Sequence, residues 1–285
     1  MSAGKDRPAA GLHFISTPIG AARDITLRAL DLLAGSDVLA AEDTRTLRHL
    51  MDIHGVALGD RPLLAYHDHN GARMRPRIIA ALAAGKSVTY ASEAGTPLVA
   101  DPGYQLARAA IDAGHPVIAA PGASAVLAAL TVSGLPSDRF LFAGFPPATS
   151  QARLSWLSEL AAAKATVILY ESPNRLQEML ADLVTCFGRT RQAAVCRELT
   201  KKFEEVTRGS LAEVQAAYLD RKVKGEIVVL IDRASEARVD EATVEAALRK
   251  ALAQMTVKDA AAMVSEMFGL PRREVYQLAL NLEKS

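Results

Sequence analysis

Residues 92–103 read Ser-Glu-Ala-Gly-Thr-Pro-Leu-Val-Ala-Asp-Pro-Gly. Two glycines and two prolines within twelve residues rule out a helix or a continuous strand, so the segment is an ordered loop. Ser87–Ala91 before it is short and β-prone. Tyr104–Ala113 behind it carries apolar residues at helical spacing and stops at Gly114. A second apolar run, Val117–Ala120, leads into Pro121-Gly122-Ala123-Ser124-Ala125 and another helical stretch. Strand, loop, helix, repeated, is the grammar of an open α/β sheet, whose ligands sit at the carboxyl ends of the strands. Both glycine–proline loops fall at such ends, and a small molecule is expected to bind there.

The same habit runs outward. Leu12–Ser16 reads as a strand ending in Thr17-Pro18-Ile19-Gly20, after which Asp24 or Thr26 caps a helix with Leu27, Leu30 and Leu33 on its apolar face. Val38–Ala41 ends in Glu42-Asp43-Thr44-Arg45, with a helix to Met51. Leu63–Tyr66 ends in His67-Asp68-His69-Asn70, and a helix is expected over Arg77–Ala84. Phe145-Pro146-Pro147-Ala148 reads as a hinge. Beyond it come a helix over Leu154–Ala163, a strand over Thr166–Tyr170 tipped by Glu171-Ser172-Pro173, a helix from Leu176, and strands at Ala193–Arg197 and Glu226–Ile231. The end of the chain is helical throughout, at Glu241–Gln254, Val257–Phe268 and Arg272–Leu282, with Gly269 and Pro271 separating the last two. The expected organisation is therefore a disordered 1–11, α/β domains at 12–143 and 144–235, and a helical tail at 236–285.

Composition narrows the function. At 285 residues and 50% hydrophobic, the chain can bury two cores. Its 33 basic and 32 acidic residues give a net charge of +1, so nucleic acid is not implied globally, although a local basic face is compatible with it. Cys186 and Cys196 form no CxxC and no metal-ligand spacing, which suggests buried thiols in a reducing compartment. Met1–Gly11 has no apolar leader core, and no apolar run approaches membrane-spanning length. The expectation is a soluble cytoplasmic protein without a membrane partner.

Several motifs fail on inspection. Gly85-Lys86-Ser87 lacks the earlier glycine of a P-loop, where Ala80 stands, and precedes a strand. Gly122-Ala123-Ser124-Ala125-Val126 lacks the last glycine of a nucleophile elbow, so Ser124 reads as a helix N-cap beside a glycine that admits a ligand to the backbone. His67-Asp68-His69 has no second ligand pair, and no metal is expected. No GxGxxG occurs. Glu42, Asp43 and Asp101 each have a structural reading, as a helix start or a turn cap; on one sheet edge they delineate a cleft. In the tail, Thr256 and Asp259 resemble a capping box, and Arg272-Arg273 opens the last helix. Both a helix-turn-helix offering basic residues to phosphate and a plain three-helix cap fit this pattern.

Taken together, the motifs closely resemble the bacterial ribosomal RNA small subunit methyltransferase I family. The resemblance rests on Thr17-Pro18-Ile19-Gly20, Asp24–Leu30, Ala41–Arg45, His67–Asn70, Ala94–Pro97 with Asp101–Gly103, Pro121-Gly122, Gly134–Phe140, Tyr170–Pro173, Arg197–Lys201 and Lys224–Glu226, in the family order and over about residues 12–233. It implies two α/β domains of the tetrapyrrole-methylase type with S-adenosylmethionine in the cleft between them, plus a small C-terminal all-helical domain. It also implies a homodimer that methylates the 2′-hydroxyl of a cytidine in the decoding region of 16S ribosomal RNA.

Cofactor contacts implied by the resemblance are Thr96, Pro97, Val99, Ser124 and Ala125, with Pro18, Tyr170 and Gly225 as further wall. Methyl transfer from a sulfonium needs in-line positioning, and a base helps a weakly nucleophilic hydroxyl. Glu42, Asp43 and Asp101 are the candidate bases; Arg45 and His67 are candidates to hold phosphate or ribose. The chain departs from the family pattern at Glu93, where Asp is usual, at Ala21-Ala22 in place of Asn-Leu, and at Asn174 in place of His. Two alternatives stay open: a same-fold methyltransferase acting on a tetrapyrrole or a protein side chain, and a metabolite-sensing regulator that binds nucleic acid through its tail.

Overall fold

The computed structural model describes residues 7–234, 241–268 and 270–283. They form two compact units, divided between Arg233 and Ala234. The first five strands are β1 (Gly11–Ile15), β2 (Val38–Ala41), β3 (Leu63–Ala65), β4 (Ser87–Ala91) and β5 (Val117–Ala120). They make one sheet in the order β3-β2-β4-β1-β5, every pair parallel. Parallel pairing follows from the helices between strands: α1 (Leu27–Gly35), α2 (Thr44–Ile53), α3 (Gly71–Ala83) and α4 (Gly103–Asp112).

Alternation along the strands separates two cores. Ile15, Leu39 and Ala41 pack with Leu33, Leu47 and Met51 of α1 and α2. Phe14, Val88 and Tyr90 pack with Ile78, Leu82 and Leu106 of α3 and α4. Because all five strands run the same way, their carboxyl tips share one edge, and the loops singled out from the sequence lie along it.

The remaining strands are β6 (Phe140–Gly144), β7 (Thr166–Glu171), β8 (Gln192–Arg197), β9 (Glu205–Ser210) and β10 (Ile227–Ile231). They form a mixed sheet, β6-β7-β10-β8-β9, with only β6–β7 parallel. Helices α6 (Ser150–Leu160), α7 (Leu176–Phe187) and α8 (Leu211–Tyr218) cover one face, burying Leu157, Leu180, Leu183 and Tyr218. The other face receives α5 (Ala125–Ser133), which follows β5 yet packs Val126, Ala129 and Leu130 against Ile168, Ala194 and Leu230. The chain therefore changes sheets through α5 and the turn at Gly134, and β6 is already in the second sheet before Phe145–Ala148 is reached.

Three local differences from the sequence reading have physical causes. Helix α3 begins at Gly71 rather than Arg77, running through Pro76. The chain starts the helix at Asn70, whose side chain accepts the His67 N–H at 3.0 Å and donates to Ala65 O at 3.1 Å. The carbonyl that Pro76 leaves unbonded belongs to exposed Ala72. Of the stretch expected to lack order, residues 1–6 lie outside the described residues, while Arg7 pairs with Asp37 and His13 Nε2 bonds Ala9 O at 2.8 Å. Cys196 is buried as expected, but Cys186 is only half-buried.

The second unit is three helices, α9 (Glu241–Leu252), α10 (Val257–Phe268) and α11 (Arg272–Glu283), around Leu248, Ala260, Val264, Val275 and Ala279. Thr256 Oγ1 accepts the Asp259 N–H at 3.3 Å and donates to its carboxylate at 2.6 Å, capping α10. No described helix is long and apolar enough to cross a membrane.

Candidate functional site

The tips of β1 and β4 are stitched together. Thr17 and Gly95 exchange backbone hydrogen bonds at 2.9 and 3.0 Å, and Ser92 Oγ donates to Gly95 O at 2.9 Å. Gly95 has φ +77°, and a Cβ there would stand 3.2 Å from Ile19 Cγ2, so only glycine suits this crossing. Thr96 Oγ1 donates to Ala123 O at 2.9 Å and lies 3.1 Å from Ser16 Oγ, tying the β5 loop to the other two. Beyond it, Leu98 (φ 70°) and Ala100 (φ 56°) take left-handed backbone that side chains disfavour. Asp101 holds this shape. Its carboxylate accepts from Leu98 N at 3.2 Å, Gly103 N at 2.7 Å and the buried Tyr90 hydroxyl at 3.1 and 3.2 Å.

The second sheet supplies the facing wall. Here too the loop after the strand is strained: Glu198 (φ 53°) and Thr200 (φ 63°) are left-handed. Lys201 Nζ donates to Glu198 at 2.8 Å and to Glu226 at 2.9 Å, and Glu226 N donates back to Glu198 at 3.0 Å. At Gly225 (φ +94°) a Cβ would collide with Glu198 at 2.4 Å. Glu171, at the end of β7, is buried, accepts from Ser172 N at 2.7 Å and pairs with Arg175 at 3.2 Å. Burial pushes its carboxyl above the ordinary range. Tyr170 beside it meets Phe142 and Phe145 edge-on, and burial, reinforced by Glu226, pushes its hydroxyl up to about 12.

Between the two walls is a cavity of about 680 Å³. Of the residues singled out from the sequence, Pro18, Thr96, Val99, Ala125, Tyr170, Gly225, Glu42 and Asp101 line it. Five others stand outside it. Pro97 is buried behind the loop, and Ser124 sits at the N-cap of α5 without a side-chain capping bond. Asp43 caps α2, accepting from Arg45 N at 2.7 Å and Thr46 N at 3.4 Å, and pairs with the Arg45 guanidinium at 2.8 Å. The Arg45 side chain foremost, with those backbone donors, holds the Asp43 carboxyl down at about 2. Arg45 is otherwise solvent-exposed, and His67 lies at the β3 tip with its ring 6.0 Å from that of His69. Among the described residues no three His, Cys, Asp or Glu side chains converge as metal ligands.

Glu42 behaves differently from Asp43. Its carboxylate accepts the Glu93 N–H at 3.2 Å and lies against Asp101. Burial raises its proton affinity, the Asp101 and Glu93 charges raise it further, and the Glu93 N–H opposes them. Lys201, Glu226, Glu171 and Phe145 are lining residues that the sequence did not single out for the site. Glu171 and Lys201 stand in polar motifs at the ends of β7 and β8, and Glu226 follows Lys224-Gly225 at the start of β10, a signal that was present. Phe145 lay in the stretch read as a hinge.

Residues 11–215 match the Tetrapyrrole (Corrin/Porphyrin) Methylases, and residues 238–283 match the RsmI C-terminal HTH domain. Over 274 residues the chain is 47% identical to the ribosomal RNA small subunit methyltransferase I of Mesorhizobium japonicum, covering 95% of this chain and 92% of that protein. The chain belongs to the ribosomal RNA small subunit methyltransferase I family. The Synechocystis member is 39% identical over 276 residues, with 95% and 98% of the two chains covered.

Solved structures agree on the fold. Cobalt precorrin-4 methyltransferase superposes with a TM-score of 0.58 at 17% identity, covering 78% of this chain and 94% of that one. Uroporphyrin-III C-methyltransferase from Thermus thermophilus, complexed with S-adenosyl homocysteine, gives 0.54 at 18% identity, covering 78% and 97%. The tetrapyrrole-methylase fold and the helical C-terminal domain expected from the sequence are thus borne out, and the tail matches a helix-turn-helix domain rather than a featureless cap. As a member of this family the protein is an S-adenosylmethionine-dependent methyltransferase.

The cavity suits that cofactor. Gly95 and Gly225, whose missing Cβ lets Ile19 and Glu198 pack against them, line it, and Ile19, Val99 and Tyr170 offer apolar surface. Glu171 and Glu226 also line it, each paired with a cation, Arg175 at 3.2 Å and Lys201 at 2.9 Å.

Proposed function

We propose that this protein transfers a methyl group from S-adenosylmethionine to the ribose 2′-hydroxyl of a cytidine in the decoding region of 16S ribosomal RNA, within the small ribosomal subunit. The observation that supports this reading is Glu42, which lines the cavity against Asp101 with the Glu93 N–H at 3.2 Å, in a chain 47% identical to a ribosomal RNA small subunit methyltransferase I. When bound, S-adenosylmethionine supplies an electrophilic methyl on a positively charged sulfur. The donor would leave as a neutral thioether, and Glu42 is the group placed to take the proton of the ribose hydroxyl as it is methylated. Of the three acids considered, Asp43 is engaged as a helix cap and Asp101 as the pin of its loop, which leaves Glu42 free to accept a proton.

Thr96, Pro97, Val99, Ser124 and Ala125 shape the cofactor side of the cleft from the first sheet, together with Pro18; Tyr170 and Gly225 close it from the second. Arg45 and His67, on the tips of β2 and β3, hold phosphate or ribose of the RNA. The enzyme works in the cytoplasm as a homodimer, a state that would cover the exposed side chains of Leu127, Phe140 and Leu141. The test is methyl transfer from labelled cofactor to small subunits from cells lacking this modification, and to the free RNA. Label at an alkali-resistant linkage is expected. Label on a base, or none despite measurable cofactor binding, would overturn the assignment.

A further inference from the structure

Tyr90 stands one layer behind the acids of the cavity. It lies on the central strand β4, is fully buried, and its ring meets Phe14 at 5.3 Å and Tyr66 at 5.9 Å, edge-on in both cases. Packing alone would be served by phenylalanine. Its hydroxyl, however, sits between the two Asp101 oxygens at 3.2 and 3.1 Å. A phenol in a core must find an acceptor, and here the acceptor is the carboxylate next to Glu42.

The two carboxyls are served unequally. Asp101 receives the Tyr90 hydroxyl and the backbone N–H groups of Leu98 and Gly103. Among the described residues Glu42 receives one backbone N–H, that of Glu93, and meets Asp101 through its side chain. Hydrogen bonds to a carboxylate favour its charged form, so of two neighbouring acids the better-served one stays ionised and the other keeps the proton longer. We propose that Tyr90 is a positioning residue that divides the roles of this pair, engaging the Asp101 carboxyl as a fixed hydrogen-bond acceptor and so leaving Glu42 as the proton acceptor. The inference rests on the reading of Glu42 as the base. The charged and titratable groups facing Glu42 are Asp101 and Glu93, with Tyr90 behind Asp101 and Tyr66 beside Tyr90.

The test compares Tyr90→Phe, Asp101→Asn and Glu42→Gln in the full-length protein, measuring kcat against pH at saturating RNA and cofactor, with cofactor Kd by calorimetry. Without the phenol, Asp101 is held less firmly against Glu42, and its part in raising the Glu42 carboxyl weakens. The acid limb of the Tyr90→Phe profile is therefore expected to move to lower pH, with a plateau reduced about tenfold by the weaker base and cofactor Kd within about twofold of the parent. Asp101→Asn should move the limb the same way and further. A Tyr90→Phe limb that superposes on the parent limb, with only stability or KM altered, would overturn the inference and leave the base intact. Should Tyr90→Phe fail to fold, an Asp101→Asn limb that does not move would do the same. Full activity in Glu42→Gln would instead remove the base itself, and the role of Tyr90 with it.

Discussion

Thr200 Oγ1 accepts the backbone N–H of Ala21 at 3.1 Å, joining the loop after β1 to the loop after β8 across 179 residues of sequence. Thr200 is a β-branched residue held at φ 63°, and its own N–H is satisfied by Glu204 at 2.6 Å. Strain of this kind persists where surroundings over-determine it, and here it fixes how closely the two sheets approach at the cleft floor.

Gly20 lies at the tightest point of that approach. A Cβ there would stand 2.5 Å from Thr200 Oγ1, 2.5 Å from Lys201 Cγ and 2.9 Å from Leu199 O. The carbonyl is backbone and cannot swing aside. Gly20→Ala should therefore push the loops apart, destabilising the fold by about 1–3 kcal/mol and weakening cofactor binding. Chemical denaturation and calorimetry read the two effects separately.

Glu42→Gln keeps the shape of the side chain and removes its ability to accept a proton. Its kcat should fall by about a hundred- to ten-thousand-fold, with cofactor Kd unchanged. In the parent enzyme, burial and then the Asp101 and Glu93 charges lift Glu42 above the ordinary 4.5. The base is lost as the pH falls through that raised value, so activity should rise with pH through a limb that lies above the usual glutamate range.

The first sheet was legible because its strands, tips and helices recur with one pattern, and because glycine and proline punctuate the tips. The second was harder. β9, Glu-Val-Thr-Arg-Gly-Ser, is an edge strand with no fully buried side chain, so it carries no apolar signal at all. β6 exposes Phe140 and Leu141, which hides its alternation. At the site, Glu42 and Asp101 could be found as acids at strand tips. What distinguishes them could not: the tyrosine behind Asp101 and the N–H beside Glu42 come from β4 and its loop, which only folding brings against β2. Lys201 likewise gains meaning from Glu226, 25 residues away.

Arg153 is a second test of how the cleft is held. It is fully buried on α6, donates to Asp182 at 2.6 Å and to Ala148 O at 3.3 Å, and so pins the segment that follows Phe145. Arg175 holds the same segment through Pro146 O at 2.8 Å and Pro147 O at 2.9 Å. Arg153→Met would leave the largely buried Asp182 charge without its cation, at a cost of about 3–5 kcal/mol. Urea denaturation should show this, and Asp182→Asn in the same chain should recover part of it.

Glu205 is shifted in the opposite direction to Glu42. Its carboxylate is gripped by Arg221 at 2.5 Å and Arg197 at 2.9 Å, with Arg221 the larger cause, and the pair holds it down at about 2 against an ordinary 4.5. A depressed carboxyl stabilises the fold above its unfolded value and loses that contribution as pH falls through the folded one. Stability should therefore decline between pH 4.5 and about 2. In Glu205→Gln this part of the decline should vanish, with lower stability at neutral pH. Denaturation midpoints across that range, parent against variant, check both.

Arg45 separates the RNA from the cofactor. It lies outside the cavity, at the start of α2, with its side chain 90% exposed and paired with Asp43. A cation so placed does little for folding, since solvent screens an exposed pair of this kind. If it holds a phosphate of the substrate, Arg45→Ala should weaken RNA binding and lower the slope of log K against log salt by about one. Cofactor affinity should stay as it was, and so should kcat at saturating RNA. Filter binding at several salt concentrations measures the slope. An unchanged slope with unchanged affinity would place the RNA backbone elsewhere on this edge, with His67 at the neighbouring strand tip the next residue to substitute.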